Sequence, residues 1–153
     1  MSSPLLVLLV EDNDDHAELV MRNFEKLDFP CHIQHVRDGE AALDYLFRRG
    51  VYAGLAGTPF PSLILLDLRL PRIDGLSVLK EIKAAEDLQV IPIVILTSSE
   101  SDSDIHSAYQ NHVNSFLVKP LDGACFSRLM QELGLYWLQR NISPGIQGTR
   151  TAP

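Results

Sequence analysis

Leu5-Leu6-Val7-Leu8-Leu9-Val10 is an unbroken apolar run that stops at the paired acids Glu11-Asp12. A run this short and this apolar suits a strand buried on both faces, and such strands belong to parallel sheets covered by helices on both sides. The pattern recurs along the chain. Leu63-Ile64-Leu65-Leu66 ends at Asp67, Ile91 to Leu96 ends at Thr97-Ser98, and Ser115 to Val118 ends at Lys119-Pro120. Phe29 to Val36 holds a further strand, with Ile33 and Val36 as its main apolar members.

Helical periodicity fills the intervals. Ala17, Val20, Phe24 and Leu27 fall on one stripe at about 100° per residue, behind Asn13 or Asp14 as cap. The turn at Asp38-Gly39 leads into Ala42, Leu43, Leu46 and Phe47, and Leu76, Leu79 and Ile82 mark a third helix. A fourth is expected over 102–111 and a last one from about Leu121 to Asn141, while Gly50 to Pro61 reads as a surface loop. Five strands, each followed by a helix, predict one doubly wound α/β domain over residues 5–141. The Ser, Pro, Gly and Thr of 142–153 predict a disordered tail, so no output domain is expected behind it.

Bulk properties exclude several classes. No apolar run approaches the roughly 18 residues of a membrane span, and Met1-Ser2-Ser3-Pro4 lacks the basic stretch that opens a signal peptide. A cytoplasmic protein is expected, without a membrane partner. The net charge of −7 argues against a nucleic-acid partner. Cys31 and Cys125 stand in no metal or redox spacing and are expected to be buried free thiols.

In open parallel sheets, ligands bind beyond the carboxyl ends of the strands. Glu11, Asp12, Asp67, Thr97 and Lys119 would all meet at that rim. Separately, each has a bland reading: a helix cap, a turn, a loop start, a solvated lysine. Together they supply the parts of a phosphoryl-transfer site. Three carboxylates suit a hard cation such as Mg²⁺, an aspartate beside it can act as nucleophile toward phosphorus, and a lysine and a hydroxyl can hold phosphoryl oxygens.

These motifs, Leu9-Val10-Glu11-Asp12-Asn13, Leu65 to Pro71, Asp74-Gly75, Leu96-Thr97-Ser98 and Leu117-Val118-Lys119-Pro120, resemble the receiver domains of bacterial response regulators. The resemblance spans roughly residues 5 to 140 and implies a flavodoxin-like (βα)5 sheet with strand order 2-1-3-4-5. It implies Asp67 as the phosphoacceptor of a histidine kinase. It also implies a Mg²⁺ or Mn²⁺ site in which Asp12 is a direct ligand, Glu11 acts through water, and Asp67 and the Arg69 backbone carbonyl complete the set. Thr97 and Lys119 would bind phosphoryl oxygens, Phe116 would be a rotating aromatic, and Pro120 would follow a cis peptide bond. A narrower similarity joins Asp15-His16, Arg37 to Leu43, His112 to Ser115 and Tyr136-Trp137-Leu138 to small single-domain regulators that partner cyanobacterial phytochrome kinases. A phytochrome-like kinase is the expected partner, with another histidine kinase as the alternative. Arg69 and Ser99 occupy positions that tune dephosphorylation in the family.

Two other classes compete with this reading. A metal-dependent phosphatase acting through an aspartyl-phosphate usually carries a second aspartate two residues after the nucleophile, and Arg69 stands there. His16, His32, His35, His106 and His112 raise a histidine phosphotransfer module, but that is a helical bundle and the five apolar runs oppose it. Finally, Phe126, Leu129, Met130, Leu133 and Trp137 form a core stripe on the last helix, whereas Leu135, Leu138 and Ile142 cluster on nearly the opposite side. This second cluster predicts a homodimer through the final helix, and the resemblance implies pairing through the face made by the fourth helix, fifth strand and fifth helix.

Overall fold

The computed structural model describes residues 5–142. The segment Met1–Pro4 and the tail expected to be disordered, 143–153, lie outside the described residues. β3 (Leu63–Leu66) is the central strand, with β1 (Leu5–Val10) and then β2 (Cys31–Val36) on one side, and β4 (Ile93–Thr97) and then β5 (Ser115–Val118) on the other. All pairings are parallel and the order is β2-β1-β3-β4-β5. The strands thus keep the predicted order, and their carboxyl ends share one rim.

Because successive strand side chains point to opposite faces, the apolar runs divide cleanly. Val7, Leu9, Leu63, Leu65, Val94 and Leu96 face one layer, packing with Ala17, Val20 and Phe24 of α1 (Asp14–Glu25) and Phe126 and Met130 of α5 (Gly123–Gly134). Leu8, Val10, Ile64, Leu66, Ile93 and Ile95 face the other. There they meet α2 (Gly39–Phe47), α3 (Gly75–Ala84) and Ala108 of α4 (Asp102–Gln110). Each helix opens on a side-chain cap: Asn13, Asp38, Asp74, Ser101 and Asp122 each accept a hydrogen bond from a backbone N–H of the first turn. No helix among the described residues is long and apolar enough to cross a membrane.

The segment after α2 is more ordered than a plain loop, since Gly50–Leu55 forms a 3₁₀ helix. Its anchor is Arg48, which ends α2 in the left-handed region (φ 57°) and is fully buried. The guanidinium donates to the carbonyls of Tyr45, Thr58 and Pro59 and lies over the Tyr45 and Phe60 rings.

The last helix differs from the expectation. It is α-helical from Gly123, and Leu135–Arg140 continue as a π-helix. In a π-helix the backbone bonds reach five residues rather than four. The wider repeat brings Leu138 inward, so that it and Leu133 are both buried in the α1–α5 layer. The apolar cluster assigned to an outer face is split: Leu138 is 8% exposed, Leu135 37% and Ile142 94%. Cys125 also departs from the buried thiol expected. It sits on the outer stripe of α5 with Arg128 and Glu132, next to inward-facing Phe126, and is exposed. Cys31 is half-buried, and burial pushes its thiol up to about 11.

Candidate functional site

The sheet ladder carries each rim residue into place. Beyond the last paired strand residues, the Glu11 N–H donates to Val36 O, the Asp67 N–H to Val10 O and the Lys119 N–H to Thr97 O, at 2.8–3.1 Å. Glu11 and Asp67 thus end adjacent strands, and Lys119 reaches them from the far edge. Its ammonium donates to Glu11 Oε1 at 2.6 Å, Asp67 Oδ2 at 2.9 Å and His16 Nδ1 at 2.9 Å. The side chains of Glu11, Asp67 and Lys119 are each more than nine-tenths buried.

Two buried carboxylates share one cation, and they respond in opposite directions. Burial raises the Glu11 carboxyl to about 7, with the Asp67 charge adding to the rise and Lys119 opposing it. Burial also acts to raise Asp67, but the Lys119 hydrogen bond and charge, helped by the Arg69 amide, outweigh it and hold the carboxyl below its ordinary value. Of the two carboxyls, Asp67 is thus the one that gives up its proton more readily.

Asp12 is exposed at the mouth. Glu11, Asp12 and Asp67 each offer a carboxylate oxygen, and these oxygens lie within 4.8 Å of one another. An all-oxygen, acidic donor set of this spacing fits a hard divalent cation. Asp12 also lines a cleft of about 440 Å³ with Leu68, Arg69, Asp74 and Asp104, open to solvent beside the carboxylates. Glycine is required at one wall: a Cβ on Gly75 would collide with the backbone of Asp67 and Leu68.

The remaining predicted residues are distributed around this centre. Thr97 is fully buried and its Oγ1 accepts from the Ser99 N–H at 3.3 Å. The Arg69 N–H donates to Asp67 Oδ1 at 3.2 Å, while its guanidinium turns away to Asp104 at 2.7 Å. Phe116, on β5, is half-buried against the layer of α2, α3 and α4. No peptide bond is cis among the described residues, so the Lys119–Pro120 bond is trans, contrary to expectation. An X–Pro bond favours trans by about 0.5–1 kcal/mol, so the motif alone does not dictate the isomer. Leu135, Leu138 and Ile142 belong to the far end of α5 and take no part in this site.

Two participants were not read from the sequence. His16 reaches Lys119 from the first turn of α1; its place three residues after the cap Asn13, in the turn next to the acidic strand end, was the available signal. Asp104 accepts from both Ser99 Oγ, at 2.6 Å, and Arg69. That contact joins α4 to the β3–α3 loop and has no signature in local spacing.

Known proteins share this architecture. The profile of the response regulator receiver domain matches residues 7–131. The probable methanogenesis regulatory protein FilR2 of Methanothrix harundinacea is 51% identical over 142 residues, covering 93% of this chain and 89% of that protein. Response regulator Rcp1 of Synechocystis is 38% identical over 141 residues, covering 92% and 94%. Among solved structures, the phosphorylated cyanobacterial phytochrome response regulator RcpA superposes with a TM-score of 0.88 at 34% identity, covering 93% of this chain and 99% of that one. The Mn²⁺-bound form of Rcp1 superposes at 0.87 and 37% identity, covering 92% and 99%. The acidic rim, the sheet order and these likenesses agree, and the chain belongs to the response regulator receiver domain family, with a response regulator's role in two-component signalling.

Proposed function

We propose that Asp67 accepts a phosphoryl group from a sensor histidine kinase in the cytoplasm, and that Glu11, Asp12, Asp67 and the Arg69 carbonyl hold the Mg²⁺ or Mn²⁺ that the reaction needs. The observation that carries this reading is the buried Asp67 carboxylate, bonded to Lys119 and clustered with two further acids. Bound there, the cation would screen the charge of the incoming phosphoryl group. An Asp67 oxygen forms the new bond to phosphorus as the bond from phosphorus to the donor's leaving group breaks. Lys119 trades its hydrogen bond to Asp67 for one to a phosphoryl oxygen, and the Thr97 hydroxyl donates to another. Phe116 reorients as Thr97 is drawn in, so the domain catalyses only its own modification and signals by shape. A phosphatase would need an acid where Arg69 stands.

Purified protein with Mg²⁺ and acetyl phosphate should be labelled at a single acid-labile site, and Asp67→Asn should abolish that label. Full labelling of the variant would defeat the assignment. The likeness to Rcp1 and RcpA supports a phytochrome-type kinase as the donor. FilR2 supports a second reading, a kinase with a different input. Phosphotransfer profiling against the source organism's kinases separates the two by which kinase labels Asp67 fastest.

The reading extends to a homodimer through α4, β5 and α5. Leu135 and Ile142 remain exposed there, with Tyr109 of α4, and buried Leu138 is withdrawn from the interface. Light scattering should show a dimer for the parent and a monomer for Leu135→Glu combined with Ile142→Glu. A monomeric parent in both phosphorylation states would end the dimer proposal.

A further inference from the structure

An ammonium group has three N–H donors and no acceptor. At Lys119 all three are accounted for, by Glu11 Oε1, Asp67 Oδ2 and His16 Nδ1. Since the ammonium can only donate, His16 Nδ1 must carry the lone pair, which makes the ring neutral with its proton on Nε2. The imidazole is itself placed by packing. It lies 6.1 Å from the Phe126 ring, centroid to centroid and tilted by 31°, and its backbone N–H is tied to the Asn13 cap. So one acceptor on the lysine comes from α1, and its seat is provided by α5.

From this arrangement we infer that His16 is a positioning residue for Lys119, aiming the ammonium at the phosphoryl group on Asp67 without neutralising it. The inference rests on the proposed role of Asp67. When Asp67 is modified, its bond to the lysine is exchanged for one to a phosphoryl oxygen. Glu11 and His16 are the partners that stay. A third carboxylate in place of His16 would give the same hydrogen bond but would offset the positive charge that the phosphoryl oxygens must attract. A neutral acceptor fixes direction and leaves the charge available.

The test compares His16→Phe, which keeps a ring against Phe126 and removes the acceptor, with His16→Asn, whose Oδ1 stands near the Nδ1 position. Labelling by acetyl phosphate and Mg²⁺ is followed across phosphodonor concentration. His16→Phe should lower the maximal rate by about tenfold or more, the scale of one lost hydrogen bond to a charged group, and leave the Mg²⁺ dependence unchanged. His16→Asn should recover most of that loss. A parental rate in His16→Phe overturns the inference, and so does an equal loss in both variants, because the acceptor atom would then be irrelevant. NMR of the lysine ammonium protons gives a readout that needs no phosphorylation. The Lys119 signal, assigned by its disappearance in Lys119→Arg, should be protected from solvent exchange in the parent and in His16→Asn, and lost in His16→Phe. Were the parent not labelled at all, the phosphoacceptor reading would fall, and this signal would still decide whether His16 holds the lysine.

Discussion

Lys119 and Arg48 are both buried cations, and they are held in opposite ways. Lys119 is surrounded by titratable groups, two carboxylates and an imidazole, at the open rim of the sheet. Arg48 has no carboxylate within bonding distance; three backbone carbonyls and two aromatic faces enclose it. Its Nε is the one buried side-chain nitrogen or oxygen among the described residues left without a partner. Carbonyls and rings do not change charge, so the arginine is a fixed pin joining α2 to the segment that follows. The lysine's partners can be modified, bound by a cation or replaced by phosphoryl oxygens. Burial alone does not distinguish a structural charge from a working one, but the kind of partner does.

Arg48→Met should break the pin and give the largest effect. It strands the carbonyls of Tyr45, Thr58 and Pro59, and we expect a loss of about 3 kcal/mol in denaturant unfolding, unchanged by Mg²⁺. A loss that Mg²⁺ repairs would place Arg48 in the functional site. Lys119→Met should cost no more than that, about 3 kcal/mol in chelator, because buried Glu11 and Asp67 are left facing each other without their cation. Here saturating Mg²⁺ should restore most of the stability by taking over the lysine's role between the acids. Insensitivity to Mg²⁺ would contradict the cation site. The smallest expected effect is that of Arg48→Lys, about 1 kcal/mol. An ammonium can reach carbonyls but gives up the planar stacking on Tyr45 and Phe60. A cost equal to that of Arg48→Met would show that the aromatic contacts carry the pin.

Most of the sheet and its rim was legible in the sequence because both rest on local pattern. An apolar run fixes a two-sided strand, and the residue that ends the run falls at the rim whatever the rest of the chain does. Glu11, Asp67, Thr97 and Lys119 were found that way. Leu138 was misplaced because the 100° rule assumes one helical repeat, and the change of repeat after Gly134 turns each later residue to a different side. The contacts of His16 with Lys119 and of Asp104 with Arg69 span 103 and 35 residues and depend on how helices dock on the sheet. Arg48 gave no warning either. The Arg48-Arg49 pair behind an apolar helix looks like a solvated cap until Phe60 and the carbonyls close over Arg48.

The two glycines that begin α2 and α3 bear on the direction in which a signal leaves the site. A Cβ on Gly39 would strike the Ile73 carbonyl, and one on Gly75 would strike that of Asp67, so the loop from Leu68 to Asp74 is gripped by a helix start at either end. Its backbone has no slack toward either helix. If Asp67 is modified as proposed, a strain arising there would find little slack toward α2 or α3. The proposed route would then run toward α4, through Thr97 and Ser99 and through the Arg69–Asp104 bond, with half-buried Phe116 beside it on the edge strand. On that reading the close fit of two residues without side chains makes one half of the rim an anvil and leaves the other half to carry the signal.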